Sequence, residues 1–197
     1  METHDIHIVD ATQSDADHIV RLIMTAMTDD CCLYYAGNGR TLDDFARVLR
    51  RLVTEEHSQY SYRNTLLAVD DRRTVLGACV AYDGGELHRL REAFFAAMRE
   101  EIGRTFDRFD DETAAGEYYI DSLAVYPEYR RRGIASMLLR AACRKAQALG
   151  LTAGLLVDTE NPNAERMYTA LGFRYVEDSR WGGRPMHHLQ HRRRALD

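Results

Sequence analysis

Proline and cysteine are scarce in this chain, with three and four copies among 197 residues. The cysteines, Cys31, Cys32, Cys79 and Cys143, follow no disulfide framework, and the adjacent Cys31-Cys32 pair is not a CxxC metal or redox motif. They read as reduced thiols, which suits a cytoplasmic protein. No run of about 18 apolar residues occurs, so no membrane span is expected. The opening "METHDIHIVDATQSDADHIV" has no basic stretch followed by an apolar one and does not read as a secretory leader. Internal repeats and low-complexity linkers are also missing. So is an excess of positive charge: the formal net charge is −5. Together with the lack of aromatic residues interleaved among "RRR" and "HRRR", this argues against a nucleic-acid binder. What is present, 45% hydrophobic and 29% charged residues, suffices for a core. The length fits a single domain over 1–197, with a frayed tail over 190–197.

Periodicity divides the chain. Ile6 to Val9 alternates as a strand. Ser14 or Asp15 can cap a helix that carries Ile19, Leu22, Ile23 and Ala26. Thr41 caps a second helix with Leu42, Phe45, Val48, Leu49 and Leu52 on one face. Two strands follow, joined by the polar turn Asp70-Asp71-Arg72-Arg73. Over 86–109, Leu87, Leu90, Phe94, Ala97, Met98, Ile102 and Phe106 recur every three to four positions, as in one amphipathic helix or two short ones. "EYYIDSLAVYP" is a strand stopped by Pro127. Gly133 to Leu149 is a helix closed by Gly150, "TAGLLVD" is a buried strand, and Asn161-Pro162 opens a helix that Gly172 ends. A last hairpin turns at Gly182-Gly183. The order β-α-α-β-β-α-β-α-β-α-β-β implies a mixed sheet covered by helices.

The segment "YPEYRRRGIASMLL" places three arginines before a glycine and an apolar helix in an acidic chain. The first N–H groups of a helix have no internal partners and carry partial positive charge. A glycine at the entry leaves them open, and Ala135 keeps the next position small. Such an end can hold a phosphate, and the arginines would add attraction. A solvated basic turn explains the same pattern. The motif is neither a Walker A loop nor GxGxxG.

Over about residues 117–177 the chain resembles the GNAT superfamily of acetyl-CoA-dependent N-acetyltransferases. The first match is the strand ending Leu123-Ala124-Val125, then Pro127, then Arg130-x-x-Gly133-x-Ala135 and a helix. The second is Asn161-Pro162-Asn163-Ala164, Tyr168 and Leu171-Gly172-Phe173. Alanine stands at 135 where a second glycine is common, and the residues between Asp83 and Glu117 form an insertion in place of a tight hairpin. The resemblance implies an α/β (mixed α+β) GNAT fold: a mostly antiparallel twisted sheet of about seven strands, with a helical insertion, 84–116, between the third and fourth. It implies that backbone N–H groups of Arg131, Arg132, Gly133, Ile134, Ala135 and Ser136 grip the pyrophosphate of coenzyme A. Arg130 and Arg131 are the better side-chain candidates. The backbone of Leu123, Ala124 and Val125 would pair with the pantetheine, and an N–H near Val125 would polarise the thioester. Asn161 has two readings, helix cap or cofactor contact, and Asn163 is a weaker contact.

The activity so implied is transfer of an acetyl group from acetyl-CoA to a primary amine, with no metal. Tyr168 would be the general acid, because a phenol with pKa about 10 can protonate a thiolate whose reference pKa is about 8.5. Its alternative is a half-buried tyrosine bonded to backbone. An alkyl ammonium, with pKa about 10.4, must lose a proton before attack. Asp121 and Glu117 share one face of their strand and are the candidate bases, with a structural ion pair as the other reading. Glu55, Glu56 and His57 suit a solvated helix end. His187 and His188 point to opposite faces, so with His191 they make a poor zinc site. The expected acceptor is a small-molecule amine, with a protein lysine or N-terminus as alternative; a non-catalytic acetyl-CoA sensor is a further reading. The apolar stripe of the insertion, with Phe94, Phe95 and Phe106, could cover the acceptor, pair two subunits as a homodimer, or cover its own sheet.

Overall fold

The structure is a computed structural model describing residues 5–191, and the expected frayed residues after His191 lie outside them. Seven strands form one sheet: β1 (His7–Asp10), β2 (Thr65–Val69), β3 (Val75–Asp83), β4 (Glu117–Val125), β5 (Thr152–Asp158), β6 (Phe173–Trp181) and β7 (Arg184–His191). Their spatial order is β1-β2-β3-β4-β5-β7-β6. Every neighbouring pair is antiparallel except β4 and β5. This is the mixed, mostly antiparallel sheet expected. Residues 190 and 191 belong to β7, not to a tail.

Helices α1 (Ala16–Met27), α2 (Asp29–Ala36), α3 (Leu42–Thr54) and α4 (Leu87–Ile102) cover one face. Helices α5 (Ile134–Ala148) and α6 (Pro162–Ala170) pack on the other. Thr41 caps α3 as its sequence implies: its hydroxyl accepts from the Asp44 N–H, and Asp44 accepts from the Thr41 N–H at 2.9 Å. At α1 the arrangement differs. A 3₁₀ turn over Gln13–Asp15 precedes the helix, and Asp15 accepts from the Thr12 N–H. Helix α2 is not in the sequence reading. Its inward residues, Cys32, Tyr35 and Ala36, do not make a recognisable stripe.

The 84–116 insertion is helical only in its first half. Gly103, in the left-handed region at φ 72°, closes α4. Phe106 therefore lies in the following loop rather than on a helix. The loop folds back so that Phe106 and Phe109 meet Phe94 at ring-centroid distances of 5.8 and 5.6 Å. Phe94 also meets Tyr35 of α2 and is only 3% exposed. The apolar stripe is thus consumed inside the chain, where it supports α2 and the sheet. Among the described residues no helix is long and apolar enough to cross a membrane.

Truncating so buried a ring should be costly. Phe94→Ala is expected to lower unfolding free energy by about 3–5 kcal/mol, measured by denaturant titration. A loss of less than about 1 kcal/mol, with a change in solution mass instead, would mean that Phe94 serves a subunit contact.

Candidate active site

The parallel pair sets the geometry of the site. Strands β4 and β5 pair only over Glu117↔Thr152, Tyr118↔Ala153 and Tyr119↔Gly154. Beyond Tyr119 they diverge: β4 continues to Val125 beside β3, and β5 continues to Asp158 beside β7. A cleft of about 880 Å³ opens between them. The Tyr126 N–H donates to Leu76 O on the β3 side at 3.0 Å. By antiparallel alternation, Leu123 and Val125 turn their backbone groups away from β3 and into the cleft.

The hinge of this divergence is held by side chains. Glu117 is buried, and its Oε2 accepts from His188 Nε2 and Gln190 Nε2, both at 2.8 Å. It reaches them across β5 because Gly154 has no side chain; a Cβ there would lie 2.1 Å from the carboxylate. The same bond raises the His188 pKa and favours the imidazolium. Glu117 does not line the cleft, so the two carboxylates named from sequence part company.

Asp121 does line the cleft. Val80 pairs with Ser122 and Ala81 with Ile120, which leaves Asp121 as the extra residue of a β-bulge. The Ser122 hydroxyl donates to its carboxylate at 2.8 Å. Burial, and next the Glu112 carboxylate, push its pKa from an ordinary 3.8 to about 7. Tyr168 on α6 also lines the cleft. Its ring packs edge-on to Phe173, and its hydroxyl has no hydrogen-bond partner among the described residues. Burial pushes its pKa to about 12, so it stays protonated at neutral pH.

The far wall is built by the end of α1, the start of α2 and the β6–β7 hairpin, through Met27, Thr28, Cys31, Trp181, Arg184 and Met186. Sequence reading named none of these for the site, and only the hairpin turn carried a signal. Burial raises the Cys31 thiol to about 11, so no thiolate nucleophile is available there. Arg184 is held by Asp158 at 2.7 Å and Glu160 at 2.8 Å. Two carboxylates thus surround one guanidinium at this wall, a balance that favours a cation.

At the other end of the cleft stand Arg130, Arg131, Gly133, Ile134, Ala135 and Ser136. Gly133 is left-handed at φ 78°, and a Cβ on it would point into open space. The first helical bond of α5 runs from the Met137 N–H to Gly133 O. The N–H groups of residues 134–136 are therefore free of intrahelical partners.

The sequence profile of the Acetyltransferase (GNAT) family matches residues 40–173. The chain belongs to the GNAT acetyltransferase family. Among solved structures, an N-acetyltransferase from Staphylococcus aureus Mu50 is 20% identical with a TM-score of 0.78, covering 93% of this chain and 99% of that one. A crystal structure described only as an acetyltransferase is 26% identical, also at TM-score 0.78, over 94% and 98%. A spermidine N-acetyltransferase chimera from Vibrio cholerae and a human counterpart is 15% identical at 0.55, over 94% of each chain. No curated protein matches the chain.

Members of this family use acetyl-CoA as donor, and the residues present fit it. The cradle at Gly133 is open, backbone donors face it, and β4 offers a free edge. Arg130 lines the cleft, and its Nε donates to Val125 O at 3.0 Å, which fixes the turn to the end of β4. Arg132 lies over the Tyr129 ring at 5.6 Å and is outside the cleft lining. Asn161 caps α6, accepting from the Ala164 N–H at 3.2 Å, and also lines the cleft. Asn163 is bonded to Arg166 and does not. Glu55 and Glu56 pair with Arg51 and Arg63, and His187 with Glu165.

The raised carboxyl of Asp121 has a thermodynamic consequence. An unfolded aspartate loses its proton near pH 4, but the folded one holds it to about 7. The cost of burying the ionised form therefore grows from about pH 4 to 7 and is complete above that. Asp121→Asn cannot ionise. Its Tm should match wild type near pH 4 and exceed it by a few degrees near pH 8. A relative loss of stability on raising the pH would contradict the assignment.

Proposed function

We propose that this family member is an N-acetyltransferase that moves an acetyl group from acetyl-CoA to the primary amine of a small molecule by direct attack in a ternary complex. The observation that carries the reading is the Asp121 bulge: a half-buried carboxylate whose pKa is pushed up to about 7, lining the gap where β4 presents its free edge. The fold, with no span among the described residues, suits a cytoplasmic enzyme working as one domain.

In this reading the turn binds the pyrophosphate through backbone N–H groups of residues 131–136, and Leu123 pairs with the pantetheine as an added strand would. The Val125 N–H stabilises the developing oxyanion. Asp121 takes the proton from the incoming ammonium, directly or through water. Tyr168 returns a proton to the leaving thiolate. An acyl-cysteine route is disfavoured because the Cys31 thiol stays protonated. The carboxylates around Arg184 favour a cationic acceptor. A protein lysine or N-terminus is the second reading.

The experiment is a thiol-release screen of primary amines with acetyl-CoA, alongside thermal shift with CoA. Turnover on a small amine and a raised Tm are expected; no shift at millimolar CoA would overturn the reading. Gly133→Glu should abolish the shift, since its carboxylate would occupy the phosphate cradle. Tyr168→Phe should keep CoA binding and lose about 10²–10⁴-fold in kcat, less with an acyl donor whose thiol leaves more easily. Unchanged kcat would remove Tyr168 from the acid role.

A further inference from the structure

On the sheet face that carries α1 to α4, the insertion buries a charged cluster that packing alone does not require. The side chains of Arg91 on α4 and Glu112 in the following loop are 3% and 1% exposed and form an ion pair. Arg91 also binds Asp111 at 2.8 Å. Glu112 Oε1 accepts from the Tyr82 hydroxyl at 3.0 Å and from Gln59 Nε2 at 3.2 Å. With Arg91 these make three donors around one carboxylate, which favour its ionised form and oppose burial, the larger influence, which raises its pKa. Burying such a pair is costly compared with apolar residues of similar size. The cluster is also incomplete, because Gln59 Oε1 and Arg91 Nε are buried without partners.

Its position connects it to the site. Tyr82 on β3 pairs with Tyr119 on β4, two residues from Asp121, and their rings meet at 5.8 Å. The Gln59 amide that donates to Glu112 also favours the ionised Asp121 carboxylate, and the Glu112 charge opposes it. Arg91 and Ser122 act in the same sense as Gln59. The other titratable groups coupled to Asp121 are Cys31 on α2, Tyr60 after α3, Cys79 and Tyr82 on β3, and Tyr119 on β4. Burial raises all of them, so they are neutral at working pH and leave Glu112 and Arg91 as the charges that matter.

We infer that Glu112 is a positioning residue for proton transfer, acting on Asp121 together with Gln59, so that the insertion governs the pH range in which the enzyme accepts its amine. The inference rests on Asp121 being the base.

The test is carboxyl ¹³C NMR titration of aspartate-labelled protein, with Asp121→Asn to assign the signal, beside pH profiles of kcat/KM on an amine found by the screen. Glu112→Gln removes the opposing charge and should lower the Asp121 midpoint by about one pH unit. Gln59→Leu removes a donor to the carboxylate and should raise the midpoint. Opposite shifts support the inference. Unchanged midpoints overturn it, as do two downward shifts, which would mean that both changes merely admit water. If Glu112→Gln does not fold, Gln59→Leu and Tyr82→Phe decide on the same criterion: a midpoint unmoved in both overturns it. Midpoints that shift while the acidic limb of kcat/KM stays in place would remove Asp121 from the base role and leave the coupling intact, so the two failures are distinguishable.

Discussion

The site depends on the separation of β4 from β5 after three residue pairs. Parallel strands that stay paired leave no backbone groups free and no room for a ligand between them. Here Glu117 crosses over Gly154 to His188 and Gln190. That clamp ties β4 to β7 at the hinge, so the strands can diverge beyond it without the sheet coming apart. The cleft, the free edge at Leu123 and Val125, and the entry to α5 all lie on the open side of this hinge. Arg130 closes the other end by binding Val125 O, which fixes the turn relative to the strand.

Within that frame the chemistry is a matter of environment. Asp121 sits on a bulge, where the extra residue escapes the ladder and is redirected. Burial and Glu112 raise its pKa, while Ser122 and Gln59 restrain the rise. Tyr168 is raised by burial alone apart from a small effect of Cys79. A carboxyl near 7 is displaced in the direction useful for a base at neutral pH, whereas a phenol near 12 stays protonated but donates its proton less readily than a free phenol. The insertion contributes by packing Phe94, Phe106 and Phe109 against Tyr35 and by setting Glu112 against Tyr82 and Gln59.

Much of this was legible in the sequence, for local reasons. Thr41 and Asn161 are caps with near neighbours in the chain, and Gly133 and Gly182-Gly183 mark left-handed turns. Most residues named for the donor, Leu123 to Val125, Arg130, Arg131, Gly133 to Ser136, Asn161 and Tyr168, do line one cleft. What was hidden depends on distant partners. Glu117 reads like Asp121 by strand parity, yet only the position of Gly154 and His188 on neighbouring strands turns it into a hinge. The bulge at Asp121 arises from register against β3, which no single strand reveals. Helix α2 lacks a clear stripe because Cys32, Tyr35 and Ala36 are small or amphipathic. Gly103 ends α4 early, although Phe106 continues the helical spacing, because the loop returns that ring to the same cluster. Arg91 and Glu112, 21 positions apart, look like ordinary surface charges until the loop closes on α4.

Hydrogen exchange with and without acetyl-CoA tests the central claim most directly, because that claim concerns backbone groups left free by the strand separation. The account predicts added protection at the amides of Leu123, Val125 and residues 131–136 when the donor is present, with β6 unchanged. Unaltered exchange at those amides under saturating acetyl-CoA, or protection confined to other strands, would contradict it.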